Sequence, residues 1–316
     1  MLESLKFCIG SIARKEFVSG LTHFTIENNT VRGYNGTISI CAPIEFDIKC
    51  NPSAKKLIAA IANCEDTIKL VLTPTGKLSV RSGSFKALIE CIEQPAPKVE
   101  PEGQFIQIDG EAFVKGLKAV SPFIGTDASR LWSHGVLFKD KSLFATNNVI
   151  LVQYWIGIDF PCVVNIPEQA IKELLRIGEA PSYLQVAENS ITFHFEKDRW
   201  LRTQLYSTEW PPLEIILDRP SQQKPINQDI FKALETLKPF VDSAIYFNPD
   251  VITTQLPGTD GGAEYEIEGL EADCAFKFDF FRMLEGNIET IDFSLYPDPV
   301  LFTNGIMRGA ISGIRK

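Results

Sequence analysis

Residues 134–156 read HGVLFKDKSLFATNNVILVQYWI, and how this stretch divides decides the fold. Three short apolar runs are separated by Lys139-Asp140-Lys141 and by Asn147-Asn148. Short apolar runs bounded by polar turn residues read as strands, not as one helix. The expected order is strand, turn, strand, break, strand. Asn147 and Asn148 raise the functional question, because a polar pair between apolar runs belongs either to a catalytic loop or to a bend.

The pattern recurs. HFTIENNTVRGYNGTISICAPI starts at His23 and AIYFNPDVITTQLPGTDGGAEYEI at Ala244, so three copies begin about 110 residues apart. A short amphipathic helix is expected after each: PSAKKLIAAIAN from Pro52, PEQAIKELLRIG from Pro167 and KFDFFRMLEG from Lys277. Pro52 and Pro167 suit a first helical turn, where a missing N–H costs no hydrogen bond. Further alternating strands follow each helix, with Ile68, Leu70 and Leu72, then Ile191, Phe193 and Phe195, in period two. Each unit also opens with a helix, over residues 2–13, 110–122 and 227–238.

The fold class is therefore α+β, with three tandem domains, each a duplicated helix-plus-strands unit, over 1–97, 103–218 and 222–316. The linkers EQPAPKVEPEG (93–103) and DRPSQQKP (218–225) are rich in proline and polar residues. Recurrence turns the asparagine pair into a bend. Asn enters left-handed conformations and bonds to its own backbone, which suits that role.

Composition narrows the class. A chain of 316 residues, 45% hydrophobic and 22% charged, has room for two or three domains and is not disordered overall. No apolar run approaches the roughly 20 residues that span a bilayer, and MLESLKFCIGSIARKEF does not read as a signal peptide. Cys8, Cys41, Cys50, Cys64, Cys91, Cys162 and Cys274 form no CxxC pair, so they read as buried thiols in a reducing compartment. The expected location is the cytoplasm, with no membrane contact.

Catalysis finds no support in the sequence. His23, His134 and His194 lie at strand positions, where structural roles are expected. No Gly-x-Ser-x-Gly, His-Glu-x-x-His or Walker-type loop occurs, and PGTDGGAEYE lacks a Gly-Lys-Ser/Thr. Glu264, Glu266 and Glu268 alternate as a solvated strand face would. No catalytic residue, cofactor or metal is expected. The alternative class is a metal-dependent nuclease or other hydrolase, with carboxylates scattered along the chain.

The charge of −9 normally counts against a polyanionic partner. The expected helices, however, segregate their charge. Phe113, Leu117 and Val120 share a face opposite Lys115 and Lys118, and Ile171, Leu174 and Leu175 lie opposite Lys172 and Arg176. Lys55 and Lys56 stand beside Leu57, Ile58 and Ile61, and Lys6, Lys232, Lys238 and Arg282 fall in the other three helices. Lysine on one solvated helix is commonplace. Three matched pairs of such helices in an acidic chain point to one surface that faces a polyanion while the strands stay acidic outside.

With these features the chain resembles the DNA polymerase sliding clamps of the bacterial DNA polymerase III beta-subunit type. KLSVRSGSFKALIEC is similar to the strand pair closing that family's first domain. LWSHGVLF and LFATNNVILV resemble the second-domain hairpin, which usually reads Asn-Gly-…-Leu-Phe followed by Ala-Thr-Asp-Gly-His-Arg-Leu. WLRTQLYSTEWPPLEIIL resembles that domain's closing strand with its aromatic-proline turn, and GAISGIRK the short hydrophobic-basic C-terminus. Compressed loops, above all in the third domain, suit a divergent viral or phage member.

The resemblance implies a head-to-tail homodimer, a six-domain ring whose twelve helices line a hole for double-stranded DNA. The ring would slide through weak, sequence-independent phosphate contacts. It would tether a replicative DNA polymerase and be placed by a clamp loader. Beyond the helical cations, the implied DNA contacts are Arg14 and Lys15 after the first helix, and Arg130 and Trp132. Leu131 stands where an aromatic is usual, and Trp132 either stacks on a base or packs between domains. The implied peptide pocket, between the second and third domains, holds Thr146, Leu151, Pro211, Ile215, Ile216, Ile314 and Arg315. Val149-Ile150 replaces His-Arg and Ser312-Gly313 replaces Met-Pro, which makes that pocket greasier and alters its motif preference. The implied ring contacts are Ala87, Ile89, Phe240 and Val241. A clamp fold serving only as a protein scaffold stays open as a further reading.

Overall fold

The computed structural model describes residues 1–65, 67–256, 259 and 261–316. The glycine-bearing loop read at 257–260 falls mostly outside them. Among the described residues the helices are α1 (Leu2–Cys8), α2 (Ala54–Ala62), α3 (Gly110–Val120), α4 (Glu168–Ile177), α5 (Glu214–Leu217), α6 (Asp229–Leu237) and α7 (Phe278–Arg282). All six expected helices form, each shorter than its apolar pattern, and the class is α+β. Single 3-10 turns continue α3 at Ser121–Phe123 and α6 at Lys238–Phe240. Pro122 and Pro239 sit inside these turns and cannot donate to the α-helical ladder, which ends there.

Two expectations are corrected. Pro52 and Pro167 precede their helices instead of lying in the first turn. Pro52 bridges Cys91 and accepts a hydrogen bond from the Phe24 N–H at 3.0 Å, while Pro167 ends a strand opposite Gly135. Strand pairing claims both prolines. Secondly, the stretch 134–156 holds no turn at Lys139–Lys141. Strands Gly135–Thr146 and Ile150–Pro167 form one long hairpin, and the pairing slips at Asp140, where φ is +52°. The charged triplet is a β-bulge. Phe138 before it stacks on Phe160 at 3.7 Å, and Leu143 after it is fully buried, so both flanks stay anchored.

The second break is a turn, as expected. Asn147 Oδ1 accepts the N–H groups of Val149 (3.1 Å) and Ile150 (2.8 Å), and Asn148 takes φ +70°. The same device closes two other hairpins. Asn35 Oδ1 accepts from Thr37 and Ile38 with Gly36 at +100°, and Asn304 Oδ1 from Ile306 and Met307 with Gly305 at +87°. Asn or Gly follows each capping asparagine because a left-handed residue is needed there.

The chain forms two compact units. The first comprises Met1–Val114 and Gln169–Ser207. Its antiparallel seven-stranded sheet runs Thr25–Glu27, Thr30–Tyr34, Ile38–Pro43, Arg199–Gln204, Ser190–Phe195, Tyr183–Ala187, Gln104–Gln107. Trp200 lies opposite Cys41 and Leu201 opposite Ile40, so this sheet continues across the 93–103 linker. α1 packs on it through Leu5 and Phe7, with Phe7 edge-on to Phe195 at 5.5 Å. Each such aromatic burial contributes about 1.5–3 kcal/mol. A second sheet pairs Lys69–Leu72, Leu78–Ser82 and Phe85–Ile89.

The second unit comprises Lys115–Glu168 and Thr208–Lys316. Its six-stranded sheet runs Lys224–Pro225, Thr290–Asp292, Val300–Thr303, Met307–Ile311, Ile150–Pro167, Gly135–Thr146. A four-stranded sheet runs Glu264–Glu266, Val251–Thr253, Ala244–Asn248, Cys274–Lys277. Phe281 of α7 packs within 5.0 Å of both Phe247 and Phe276, seating that short helix on the sheet. Among the described residues no helix is long and apolar enough to cross a membrane.

Candidate functional site

A cleft of about 140 Å³ opens in the second unit, lined by Arg130, Trp132, Thr146, Asn148, Val149, Ile150, Leu151, Leu213, Ile216, Pro299, Ala310 and Ser312. The Asn147 turn builds one wall. Thr146 Oγ1 donates to the Ile150 carbonyl at 2.7 Å and accepts from the Asn148 N–H at 3.1 Å, which fixes the hairpin tip. Leu151 faces Ala310 across the sheet, placing both at the base.

The opposite wall comes from WPPLEIIL. Pro211 accepts from the Leu213 N–H at 2.7 Å, and α5 follows at once. Three side chains clamp this short helix. Lys139 Nζ reaches Glu214 at 2.7 Å, Arg308 reaches Asp218 at 2.8 Å and the Leu217 carbonyl at 3.2 Å, and Arg219 donates to the Ile216 carbonyl at 3.2 Å. The hydrogen bond that Lys139 donates to Glu214 raises the lysine pKa, so the ammonium stays charged. A four-residue helix is marginal alone and persists here because it is tied at both ends. Beneath it, Leu217 joins Leu137, Phe144, Leu151, Leu301 and Ala310, with Trp210, Leu213 and Ile216 packed against them.

The structure brings together three of the seven expected pocket residues: Thr146, Leu151 and Ile216. Pro211, Ile215, Ile314 and Arg315 do not line the cleft. Ile215 points outward from α5 at 69% exposure. Ile314 is held elsewhere, its N–H on the Ala275 carbonyl at 2.8 Å and its carbonyl accepting from the Tyr296 hydroxyl at 2.5 Å. Sequence reading missed Leu213, Pro299 and Ala310, whereas Ser312, read as a departure from the family pattern at the pocket, does line the cleft. Strand alternation from Arg308 through Ala310 to Ser312 was a usable signal, whereas nothing local marked Pro299.

Arg130 and Trp132, expected on DNA, belong to this cleft. Arg130 Nη1 donates to Asn148 Oδ1 at 3.0 Å, and its guanidinium lies 3.9 Å from Asp127. Trp132 meets Trp210 edge-on at 5.1 Å. The ring is partly buried by that contact, and both tryptophans belong to the expected second domain.

The other cations lie mostly on the surface. Lys6, Arg14, Lys15, Lys55, Lys115, Lys118, Lys172 and Lys232 are exposed. Lys56 pairs with Glu90 (3.3 Å), Lys238 with Glu235 (3.7 Å) and Arg282 with Glu235 (2.9 Å). Arg176 is a structural cation: it binds Glu173, itself 8% exposed, and donates to the Phe7 carbonyl at 2.8 Å. Its guanidinium thereby ties α4 to the α1 backbone while its side chain stays 40% exposed.

Of the expected ring contacts, Phe240 is 58% exposed, while Val241 and Ala87 are half-buried. Ile89 is corrected: at 2% exposure it faces the core, and alternation turns Leu88 outward instead. Val71, Ser79 and Leu88 lie opposite one another in one cross-strand row, and Lys69, Arg81 and Lys86 in the next on the same face. This exposed strand surface is basic and apolar, not acidic as expected. The acidic face is the edge strand Glu264–Glu266, where Glu264 and Glu266 are exposed.

All three histidines take structural positions. His23 bonds Thr22, His134 the Asp127 carbonyl and His194 Gln185. Among the described residues no group of three or more His, Cys, Asp or Glu side chains is gathered to hold a metal. The seven cysteines are free thiols, and burial pushes Cys41 to about 11 and Cys50 to about 12.

No protein-family model and no curated protein matches the sequence. Solved structures match it over its full length. A sliding clamp (DNA polymerase III subunit beta) from Bartonella birtlesii, bound to griselimycin, is 16% identical with a TM-score of 0.83. The pol III beta of Caulobacter crescentus is 16% identical at 0.85, and the DNA polymerase sliding clamp of Bacillus subtilis 16% at 0.84. Each comparison covers 100% of this chain and 97% of the other. With its helix-plus-strands units and full-length correspondence, the chain has the fold of the bacterial DNA polymerase III beta sliding clamps.

Proposed function

We propose that this protein is a DNA sliding clamp, a non-enzymatic processivity factor. Two copies associate head to tail into a ring that a clamp loader places around duplex DNA and that tethers a replicative DNA polymerase. The chain divides into clamp domains over 1–97, 103–218 and 222–316, its two large sheets continuing across the divisions. It works in the cytoplasm of a bacterium or of an infected bacterial cell.

The observation that carries this reading is an apolar cleft the size of one anchoring side chain, built into a clamp fold. A cleft walled by Leu151, Leu213, Ile216 and Pro299 suits one hydrophobic residue on a flexible partner tail. The exposed lysines of α2, α3 and α6 supply weak phosphate contacts, which allow sliding because no base is read. Ring closure follows from charge. The face carrying Lys69, Arg81 and Lys86 around Val71 and Leu88 complements the edge strand carrying Glu264 and Glu266. Such a heterologous contact closes a ring and covers exposed strand edges.

The test is topological. Protein assembled on nicked circular DNA stays bound through gel filtration in moderate salt and is lost when a restriction enzyme linearises the circle. Equal loss from closed and linear DNA would overturn the proposal.

A further inference from the structure

The sheet face that floors the cleft continues beyond it. Three cross-strand rows follow one another there, shared by the strands Ile150–Pro167 and Met307–Ile311, whose alternate residues lie on one face. Leu151 with Ala310 lies in the cleft, Gln153 with Arg308 comes next, and Trp155 beside Ile306 comes last. The Trp155 N–H donates to the Ile306 carbonyl at 3.1 Å, which holds these two together. Between them and Arg308 opens a recess of about 210 Å³, lined also by Gln153, Thr303 and Met307. Trp155 is 59% exposed and Ile306 49%, so an aromatic and an aliphatic side chain are left in water side by side.

The polar groups around this recess already bond to one another. Arg308 Nε donates to Gln153 Oε1 at 2.6 Å, and Gln153 Nε2 donates to Ser142 Oγ at 2.9 Å. Ser142 is the residue opposite Trp155. Arg308 also reaches Asp218 and the Leu217 carbonyl, so the middle row is tied to the end of α5. Gly157 backs the indole: it sits at φ +78°, and a Cβ there would stand 3.4 Å from the ring. Both cations at or beside the recess are paired, Arg308 with Asp218 at 2.8 Å and Lys141 with the exposed Asp159 at 3.3 Å. A polyanion finds no unpaired charge at these two residues. An apolar side chain finds a wall whose polar atoms need no new partner.

We propose that Trp155 and Ile306 form a second anchoring shelf for the partner tail whose first apolar residue fills the cleft. This rests on the reading of the cleft as a peptide site. Continuity names the occupant: cleft and shelf share one sheet face, one pair of strands and the hydrogen-bonded row between them. Leu151 and Trp155 stand four positions apart on their strand, roughly 13 Å. An extended tail that rounds the end of α5 bridges this span with about four to six residues and presents an apolar side chain at each end. The second contact is then intramolecular, so it slows release more than it speeds capture. A tail with one apolar residue holds the cleft alone and leaves sooner.

The experiment uses the full-length protein and random phage-displayed peptides of about 16 residues, longer than the span. Peptides selected on wild-type protein are labelled and measured by fluorescence anisotropy. They are expected to carry two large apolar residues about four to six positions apart. Trp155→Ala weakens them about tenfold, Ile306→Ser reproduces the loss, and Trp155→Phe retains the affinity. Serine in place of the peptide's second apolar residue gives the same loss, and Trp155→Ala then adds nothing further. Unchanged affinity in Trp155→Ala, with Leu213→Asp still weakening the peptides, overturns the shelf and leaves the cleft reading standing. Failure to select any peptide, or affinity indifferent to Leu213→Asp, overturns both. A shift from dimer to monomer in Trp155→Ala by sedimentation assigns the shelf to a second copy and also overturns the proposal.

Discussion

Asn147 Oδ1 holds the backbone N–H of Ile150 at 2.8 Å, and through it the hairpin tip becomes one wall of the cleft. Asn147→Ala removes this bond and the one to Val149. Denaturant unfolding of the variant is expected to show a loss of about 1–2 kcal/mol, with Asn147→Asp close to wild type because the acceptor survives. An unchanged midpoint for the alanine variant would show that the turn holds without its cap.

Leu213 and Ile216 form the α5 wall, on a helix held by Lys139 and Arg308. Leu213→Asp is expected to weaken a fluorescent peptide with one large apolar anchor by tenfold or more, about 1.4 kcal/mol or above. Retention on circular DNA stays the same. Lys139→Ala produces a smaller loss, by freeing the helix end. Equal affinity of wild type and Leu213→Asp in fluorescence anisotropy would place the partner site elsewhere.

Arg81 and Lys86 lie across from each other on the basic strand face, and Glu264 and Glu266 on the acidic edge. Reversing Arg81 and Lys86 to Glu should shift sedimentation from dimer to monomer. Adding Glu264→Lys and Glu266→Lys to the partner copy should restore the dimer, less so at high salt because exposed pairs are screened. Rescue is the informative arm, since a misfolded variant gains nothing from a reversed partner.

His194 is buried, stacks on Tyr183 at 4.4 Å and lies 3.1 Å from Gln185 Oε1. Burial holds its pKa below the ordinary value near 6.5. The folded state therefore disfavours the proton. Its contribution is complete above about pH 6.5 and is lost as pH falls toward the depressed folded value. Thermal melts of His194→Gln should show a shallower fall across that window. A residual slope is expected from His23, which burial shifts the same way against the opposing pull of Glu16 and Glu90. An identical pH profile in variant and wild type would rule out His194 as the source.

Much of this architecture is local chemistry. Alternation in Ile191-Thr192-Phe193 and in Leu78-Ser79-Val80, with Asn-rich turns at regular spacing, marks strands and hairpins without knowledge of what they pack on. The cleft was only half legible. Thr146 and Leu151 share a hairpin with the turn that announces them, whereas Pro299 and Ser312 flank the strands Val300–Thr303 and Met307–Ile311, more than 140 residues away. Trp132 had two equal readings in the sequence, and its contact with Trp210 is made across almost 80 residues of chain. The bulge at Asp140 looked like a turn because charge in a short window marks exposure, and a bulge is also exposed.

The sequence alone determined the α+β class, the threefold recurrence, the positions of six helices and the asparagine turns, because each depends on residues within one or two turns of chain. Tertiary structure decided where the longer side chains spend their bonds. Arg176 goes to the Phe7 carbonyl, Arg130 to Asn148, Ile89 to the core and Phe17 to solvent. A cation or aromatic ring takes whichever partner the fold brings within reach. That choice is made by contacts far apart in the chain, which no local pattern records.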